Sequence, residues 1–232
     1  MNKITAILIG TVVALVLPMQ LAFADSDSSL VSTLTAQWRQ WSYSIPTDRN
    51  PTLDTTGQYC VVGQRGSVWF LGGFFLGSPV PIARTCSVPE GTTLFFPIVN
   101  QDNINSPNVC GFGPENMTAK ELRPFTKSTI DSATNLKLEV DHHNASRLMR
   151  RIQSPVYEIT LPEDNLFLTP CGGPGTVPAG VYSPAVDDGY YATIGPLKPG
   201  IHTIYFHAET PGTPPTIEDV TYTLTVVPVS LK

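Results

Sequence analysis

Asp141-His142-His143 is the one place in the chain where two imidazoles and a carboxylate crowd together. On an extended segment Asp141 and His143 would share a face and could ligate a metal. DHHN lies between two strand-like segments, however, and a hairpin turn with exposed imidazoles accounts for it better. A third convergent ligand is not visible, so neither a metal nor another cofactor is expected. His202 and His207 fall on opposite faces of IHTIYFHAE. His202 shares its face with Ile204, Phe206 and Ala208 and reads as a hydrogen-bonded, largely buried histidine. His207, beside Thr203 and Tyr205, reads as exposed.

The carboxylates Asp187-Asp188, Glu163-Asp164 and Asp54 are of the type a glycoside hydrolase uses as acid and base. Each also makes sense as turn chemistry, with Asp188-Gly189 ahead of a strand and Glu163-Asp164-Asn165 behind Pro162. Gln64 in the turn GQRG, with Asn100, Asp102, Asn103 and Asn105 directly after the apolar run LFFPIV, could line a small polar binding site at one end of the fold. Asx turns would explain the same residues. Trp38, Trp41 and Trp69 could stack on sugars, but their placement favours core packing. NMT at 116 and NAS at 144 are glycosylation sequons. Phosphate-binding loops, nucleophile elbows, zinc-protease helices and dinucleotide fingerprints are all missing.

These side chains need a scaffold, and the sequence describes one. The opening MNKITAILIGTVVALVLPMQLAFA has one early lysine, an apolar run and Ala-Phe-Ala before DSDSS. That is the layout of a signal peptide over 1–24, cleaved after Ala24, which leaves 25–232 as one domain or as two lobes, about 25–135 and 136–232. No later segment is long and apolar enough to span a bilayer. The net charge of −5 argues against a nucleic-acid partner, and the cluster Arg147, Arg150 and Arg151 reads as a solvated strand face. Only 14% of residues are charged, while Pro (22) and Gly (18) are plentiful, which suits short strands joined by sharp turns. The predicted fold is mainly β, an antiparallel β-sandwich with one or two covering helices.

Cys60, Cys86, Cys110 and Cys171, an even number in an exported chain, predict two disulfides. Of the three connectivities, Cys60 with Cys86 is favoured because the two flank VWFLGGFFLG, leaving Cys110 with Cys171. That segment, with Trp69-Phe70 and Phe74-Phe75, and later Phe95-Phe96, puts bulk on both faces of a strand. One face would pack on the opposing sheet and the other under a lid. The lid is SLVSTLTAQWRQWS, whose Leu30, Leu34, Trp38 and Trp41 recur at helical spacing. A second helix is predicted over about 118–134, opened by the capping box of Thr118 and Glu121 and made irregular by Pro124. QYCVV is expected to be the first strand. NLKLEV, VYEITL, DGYYATIG, IHTIYFHAE and IEDVTYTLTVV follow as strands, the last with Val220, Tyr222, Leu224 and Val226 on one face.

The runs NPTLDTTGQYCVVGQRGSVWFLGG, RTCSVPEGTTLFFPIVN, DDGYYATIGPLKPGIHTIYF and VTYTLTV resemble an uncharacterised family of exported prokaryotic β-rich proteins, over most of the chain. Where that family's pattern has Asp-Gly, this chain has Asp141-His142. PLKPGIHTIYF also looks like the corner of immunoglobulin-like sandwiches, which is a scaffold rather than a function. The resemblance implies export and a β-rich fold and carries no activity. Together these readings predict a non-enzymatic binding or structural component of the cell envelope or extracellular space. It would be secreted, periplasmic or attached to the cell surface, with a cell-surface glycan or envelope protein as partner. The alternatives are a secreted hydrolase acting on polysaccharide through loop carboxylates, and a metal-binding protein.

Overall fold

A computed structural model describes residues 28–228, so the predicted leader and its cleavage site lie outside the described residues. Helix α1 (Ser28–Ser44) comes first, followed by strands β1 (Val68–Phe70), β2 (Ile82–Pro89) and β3 (Thr93–Ile104). Helix α2 (Ala119–Asp131) leads to β4 (Thr134–Val140), β5 (His143–Asn144), β6 (Met149–Gln153) and β7 (Tyr157–Leu161). Three long strands close the chain: β8 (Gly180–Ile194), β9 (Gly200–Thr210) and β10 (Thr216–Val227).

The strands form two five-stranded sheets packed together. The first runs β1-β3-β8-β6, with β7 also on β8, and the second runs β2-β10-β9-β4-β5. Most neighbours are antiparallel, as expected, but β1 lies parallel to β3 and β2 parallel to β10, so both sheets are mixed. The two parallel edge strands come from the stretch before β3, where the chain runs back and forth between the sheets.

Strand β10 alternates as predicted, with Val220, Tyr222, Leu224 and Val226 buried and facing Phe206 and Ile204 of β9 within the inter-sheet core. Bulk on both faces of β3 also has the expected cause. Phe96 enters the inter-sheet core and packs on Phe206, while Phe95 stacks on Tyr191 on the other face, under Trp38 and Trp41 of α1. Leu30, assigned to the same helical stripe, is 66% exposed, since it lies beyond the part of α1 that covers the sheet. Helix α2 carries its expected capping box and contains Pro124. Its buried stripe is Leu122, Thr126 and Ile130, with Phe125 exposed.

Only Val68–Phe70 of VWFLGGFFLG is strand. Trp69 and Leu71 point into the core and Phe70 packs on Trp41, after which the chain leaves the sheet. Its freed carbonyls find side-chain donors. Trp38 Nε1 donates to Leu71 O at 2.8 Å, and the buried Arg84 donates to Gly72 O at 2.6 Å and to Gly73 O at 3.2 Å. Tyr222 Oη accepts a second bond from Arg84 Nη1 at 2.7 Å. The paired glycines therefore let side chains approach this stretch of backbone.

QYCVV is not a strand. The Asp54 carboxylate accepts N–H bonds from Thr56 and Tyr59 and winds the chain into consecutive turns. At Gly57 a Cβ would sit 2.1 Å from Thr85 O, so only glycine lets these turns lie against the edge of β2. The disulfides join Cys60 to Cys86 and Cys110 to Cys171, as favoured. The first is buried; the second ties the loop after β3 to the loop after β7. Two such bonds fit an oxidising compartment outside the cytoplasm. Among the described residues no helix is long and apolar enough to cross a membrane.

Candidate functional site

Asp187 and Asp188 are neither in a turn nor on a loop. They sit mid-strand in β8 with no exposed surface, and as consecutive strand residues they face opposite ways. Asp187 faces α1 and Asp102, its cross-strand partner on β3. Arg39 of α1 is inserted between the two acids, with Nε 2.6 Å from Asp187 and Nη1 3.2 Å from Asp102. Tyr43, one helical turn on, accepts from Arg39 at 2.8 Å and donates to Asp102 at 2.7 Å. Tyr191 donates a short hydrogen bond to Asp187, and Asn100 Nδ2 reaches Tyr191 and Asp187 at 2.8 and 3.3 Å. Burial pushes the Asp187 carboxyl up to about 7, against the pull of Arg39 and the Tyr191 hydroxyl. Burial likewise raises the Tyr43 and Tyr191 hydroxyls well above their ordinary value.

Asp188, on the other face, receives Arg151 through two bonds at 3.0 and 2.9 Å and Gln153 at 3.1 Å. Arg151 reaches on to Asp131 of α2 at 2.6 Å. Of the basic cluster, Arg151 is therefore a clamp between sheet and helix rather than part of a solvated face. Its guanidinium is held more firmly protonated by the Asp188 bond.

Beside the Arg39 network lies a cavity of about 390 Å³. Its walls come from the end of α1, the 73–77 loop, the second half of β3, the start of β10 and the two loops joined by Cys110–Cys171. Tyr43, Phe75 and Phe167 form one side, an edge-to-face trio with ring centroids 4.9 to 6.5 Å apart. Arg39, Asp102 and Glu218 are its Arg, Lys, His, Asp and Glu members, together with the amides of Asn100, Gln101 and Asn103. Glu218 Oε2 accepts the Phe74 N–H at 2.8 Å, and a Cβ on Gly73 would come within 2.8 Å of the same oxygen. Burial drives the Glu218 carboxyl up to about 7, opposed first by the Phe74 N–H and then by the charges of Arg84 and Arg39.

Three of the five predicted polar binding residues, Asn100, Asp102 and Asn103, thus meet at the cavity, while Asn105 is bonded to Met117 N and Ser183 O. Gln64 stands apart. Its carboxamide accepts from Phe70 N and donates to Cys60 O and Phe70 O, closing the turn that precedes β1. Arg39 and Glu218 escaped the sequence reading.

The other candidates resolve into local structure. Asp141 and His142 have φ of +49° and +62°, so DHHN is a turn and not an extended face. Asp141 accepts from Thr203 N at 2.9 Å and lies 2.8 Å from His202 Nδ1, which raises the His202 pKa against the effect of burial. His207, expected in solvent, is half-buried between Glu209 at 3.1 Å and Asp219 at 3.3 Å, the latter its cross-strand partner. The two carboxylates address different ring nitrogens, so they cannot share a metal ion with it. Among the described residues no group of three or more His, Cys, Asp or Glu is arranged to hold a metal. Asp164 accepts from the Thr47 hydroxyl at 2.6 Å, and Asp54 is occupied in its turns. Trp38 and Trp41 pack beneath α1 and Trp69 in the core.

Fold and site together define a disulfide-bonded, two-sheet β protein with an aromatic-walled cavity that carries a few polar groups. Neither protein-family models nor curated proteins nor solved structures give a match to this chain.

Proposed function

We propose that this chain is an exported binding protein that encloses a small organic molecule in the cavity at the end of its two sheets. The observation that carries the reading is the composition of that cavity. Its volume of about 390 Å³ falls in the range of about 300–1,000 Å³ typical of ligand sites. Aromatic rings form one wall, and a few polar groups, Asp102, Asn100 and Glu218, line the same space. Arg39, held from three sides by Asp187, Asp102 and Tyr43, fixes Asp102 before any ligand arrives. The signal-peptide pattern and both disulfides support a place outside the cytoplasm. A cell-surface glycan or an envelope protein remains the proposed neighbour, as the source from which such a molecule would come.

Glu218 supports a second reading. A carboxyl titrating near 7 on a cavity wall, with Asp102 on the same cavity, is the kind of pair that acid–base catalysis uses. It moves the hydrolase alternative away from Asp187 and Asp188, which are closed off by their own partners.

Thermal unfolding against a panel of small amphipathic compounds tests the main reading, because a ligand that binds only the folded chain raises the midpoint. Val109→Trp, at a half-buried loop position on the cavity, fills the space. The expected result is a midpoint shift in the parent protein that is lost in Val109→Trp. An equal shift in both proteins refutes the assignment, and turnover of a bound ester or glycoside that disappears in Glu218→Gln promotes the second reading.

A further inference from the structure

We infer that the molecule this cavity takes is an organic cation, an ammonium head on an apolar body, seated between Asp102 and Glu218 with its body against the aromatic wall. The inference rests on the reading of the cavity as a ligand site. It starts from a charge count. The cavity is lined by one cation, Arg39, and two carboxylates, Asp102 and Glu218. Including the buried neighbours Arg84 and Asp187 gives two guanidinium groups against three acids. With all three acids ionised, as at pH 8, these groups are short of one positive charge, which protons on Asp187 and Glu218 supply near pH 7.

The guanidinium groups are also committed elsewhere. Arg39 directs Nε to Asp187 and Nη1 to Tyr43 and Asp102, and its Nη2 is buried without an acceptor, with no surface open to a ligand. Arg84 donates to the carbonyls of Asp54, Gly72 and Gly73 and to Tyr222. Glu218, on β10, has the backbone N–H of Phe74 as its bonded partner and forms no ion pair with a Lys or Arg among the described residues. Asp102 receives both Tyr43 and Arg39 on Oδ1. What the cavity offers an occupant is thus carboxylate and amide oxygen, which accept, far more than N–H, which donates. An anionic head would meet two carboxylates. A neutral head would leave the ionised Glu218 without a counter-charge.

The rings complete the match. Tyr43, Phe75 and Phe167 lie together on one wall, with Phe74 and Tyr182 also lining the space. The rings bury the apolar body while the carboxylates take the ammonium head.

The test uses three probes that share a phenyl body and differ in head: benzylamine, benzyl alcohol and benzoate. Each is titrated calorimetrically into the oxidised protein at pH 8, where Glu218 is ionised and benzylamine still carries its charge. The expected result is that benzylamine binds at least about tenfold more tightly than benzyl alcohol, with benzoate weakest. Glu218→Gln, which keeps an acceptor for Phe74, should erase most of that preference, and a cooperative urea transition like the parent's shows that the variant is folded. Equal affinity for amine and alcohol, or a preference unchanged in Glu218→Gln, overturns the cation inference and leaves the cavity as a binder of neutral molecules. Heat from none of the three, in either protein, overturns the ligand-site reading itself.

Discussion

Replacing Glu218 by glutamine should make the protein more stable at alkaline pH than at acidic pH, relative to the parent. Burial raises this carboxyl from 4.5 to about 7 in the folded chain. Between those values the folded form holds a proton that the unfolded form releases. Stability in the parent therefore falls as pH rises through the window from about 4.5 to about 7 and is level above it. At about 1.4 kcal/mol per pH unit, the full span sets a ceiling of about 3 kcal/mol. Glu218 is only half-buried because it faces the cavity. Water there screens its charge, and the expected difference is about 1–3 kcal/mol. Glutamine keeps an oxygen for the Phe74 N–H and carries no charge at any pH, so it removes the titration while preserving the hydrogen bond. The assay is urea unfolding of both proteins at pH 5, 6, 7 and 8, read as the difference in unfolding free energy between variant and parent. That difference should move in favour of the variant as pH rises and stop moving above about pH 7.5. A difference independent of pH, or one that moves the other way, would refute the buried-carboxyl account.

The Arg39 network gives a larger effect of simpler form. Arg39→Met strands Asp187 and Asp102 without their counter-charge and should cost about 3–5 kcal/mol in chemical denaturation. Adding Asp187→Leu should recover a good part of it; a single variant within about 1 kcal/mol of the parent contradicts the assignment. Removing the buried Cys60–Cys86 bond by paired serines should cost about 2–4 kcal/mol, and an unchanged denaturation midpoint would show that the 54–60 turns hold to β2 without it. Asp141 raises the His202 pKa, so their pairing stabilises the fold below the ordinary histidine value of 6.5 and fades as pH rises through the raised one. Asp141→Asn should accordingly destabilise more at pH 6 than at pH 9, and equal losses at both would disprove the pairing.

Much of this architecture was legible from period and bulk. Val220, Tyr222, Leu224 and Val226 alternate, and Phe95-Phe96 cannot both be buried by a single sheet face. What was missed are departures from the same patterns. Glu218 shares the inward parity of Val220 and Tyr222, and Arg84 that of Ile82 and Cys86. A charge at an inward position is a sequence signal for a buried polar site, overlooked here because the apolar members of each strand were read and the odd one was not. Arg39 lies one helical turn before Tyr43, but nothing local says that its partners are Asp102 and Asp187, which come from two other strands. Asp187-Asp188-Gly189 looks like a turn because its composition is that of one. Long-range pairing with Arg39 and Arg151 overrides that local preference by matching each buried charge. QYCVV failed as a strand for the converse reason, since Asp54 offers its backbone closer partners than any strand does.

The parallel pairing of β2 with β10 bears on how the molecule is made. Residues 82–89 find their ladder partner only in residues 216–227, and the Cys86 arm of the first disulfide sits within that ladder. Until β10 emerges from the ribosome, the second sheet lacks the strand that joins β2 to β9, and β2 has only the 54–60 turns beside it, through Thr85 N to Thr56 O. Pairings so distant in sequence close slowly, because the loop entropy is lost before the contacts are gained. Strand β2 thus waits for its ladder until residues 216–227 have been made, and the second sheet closes only then.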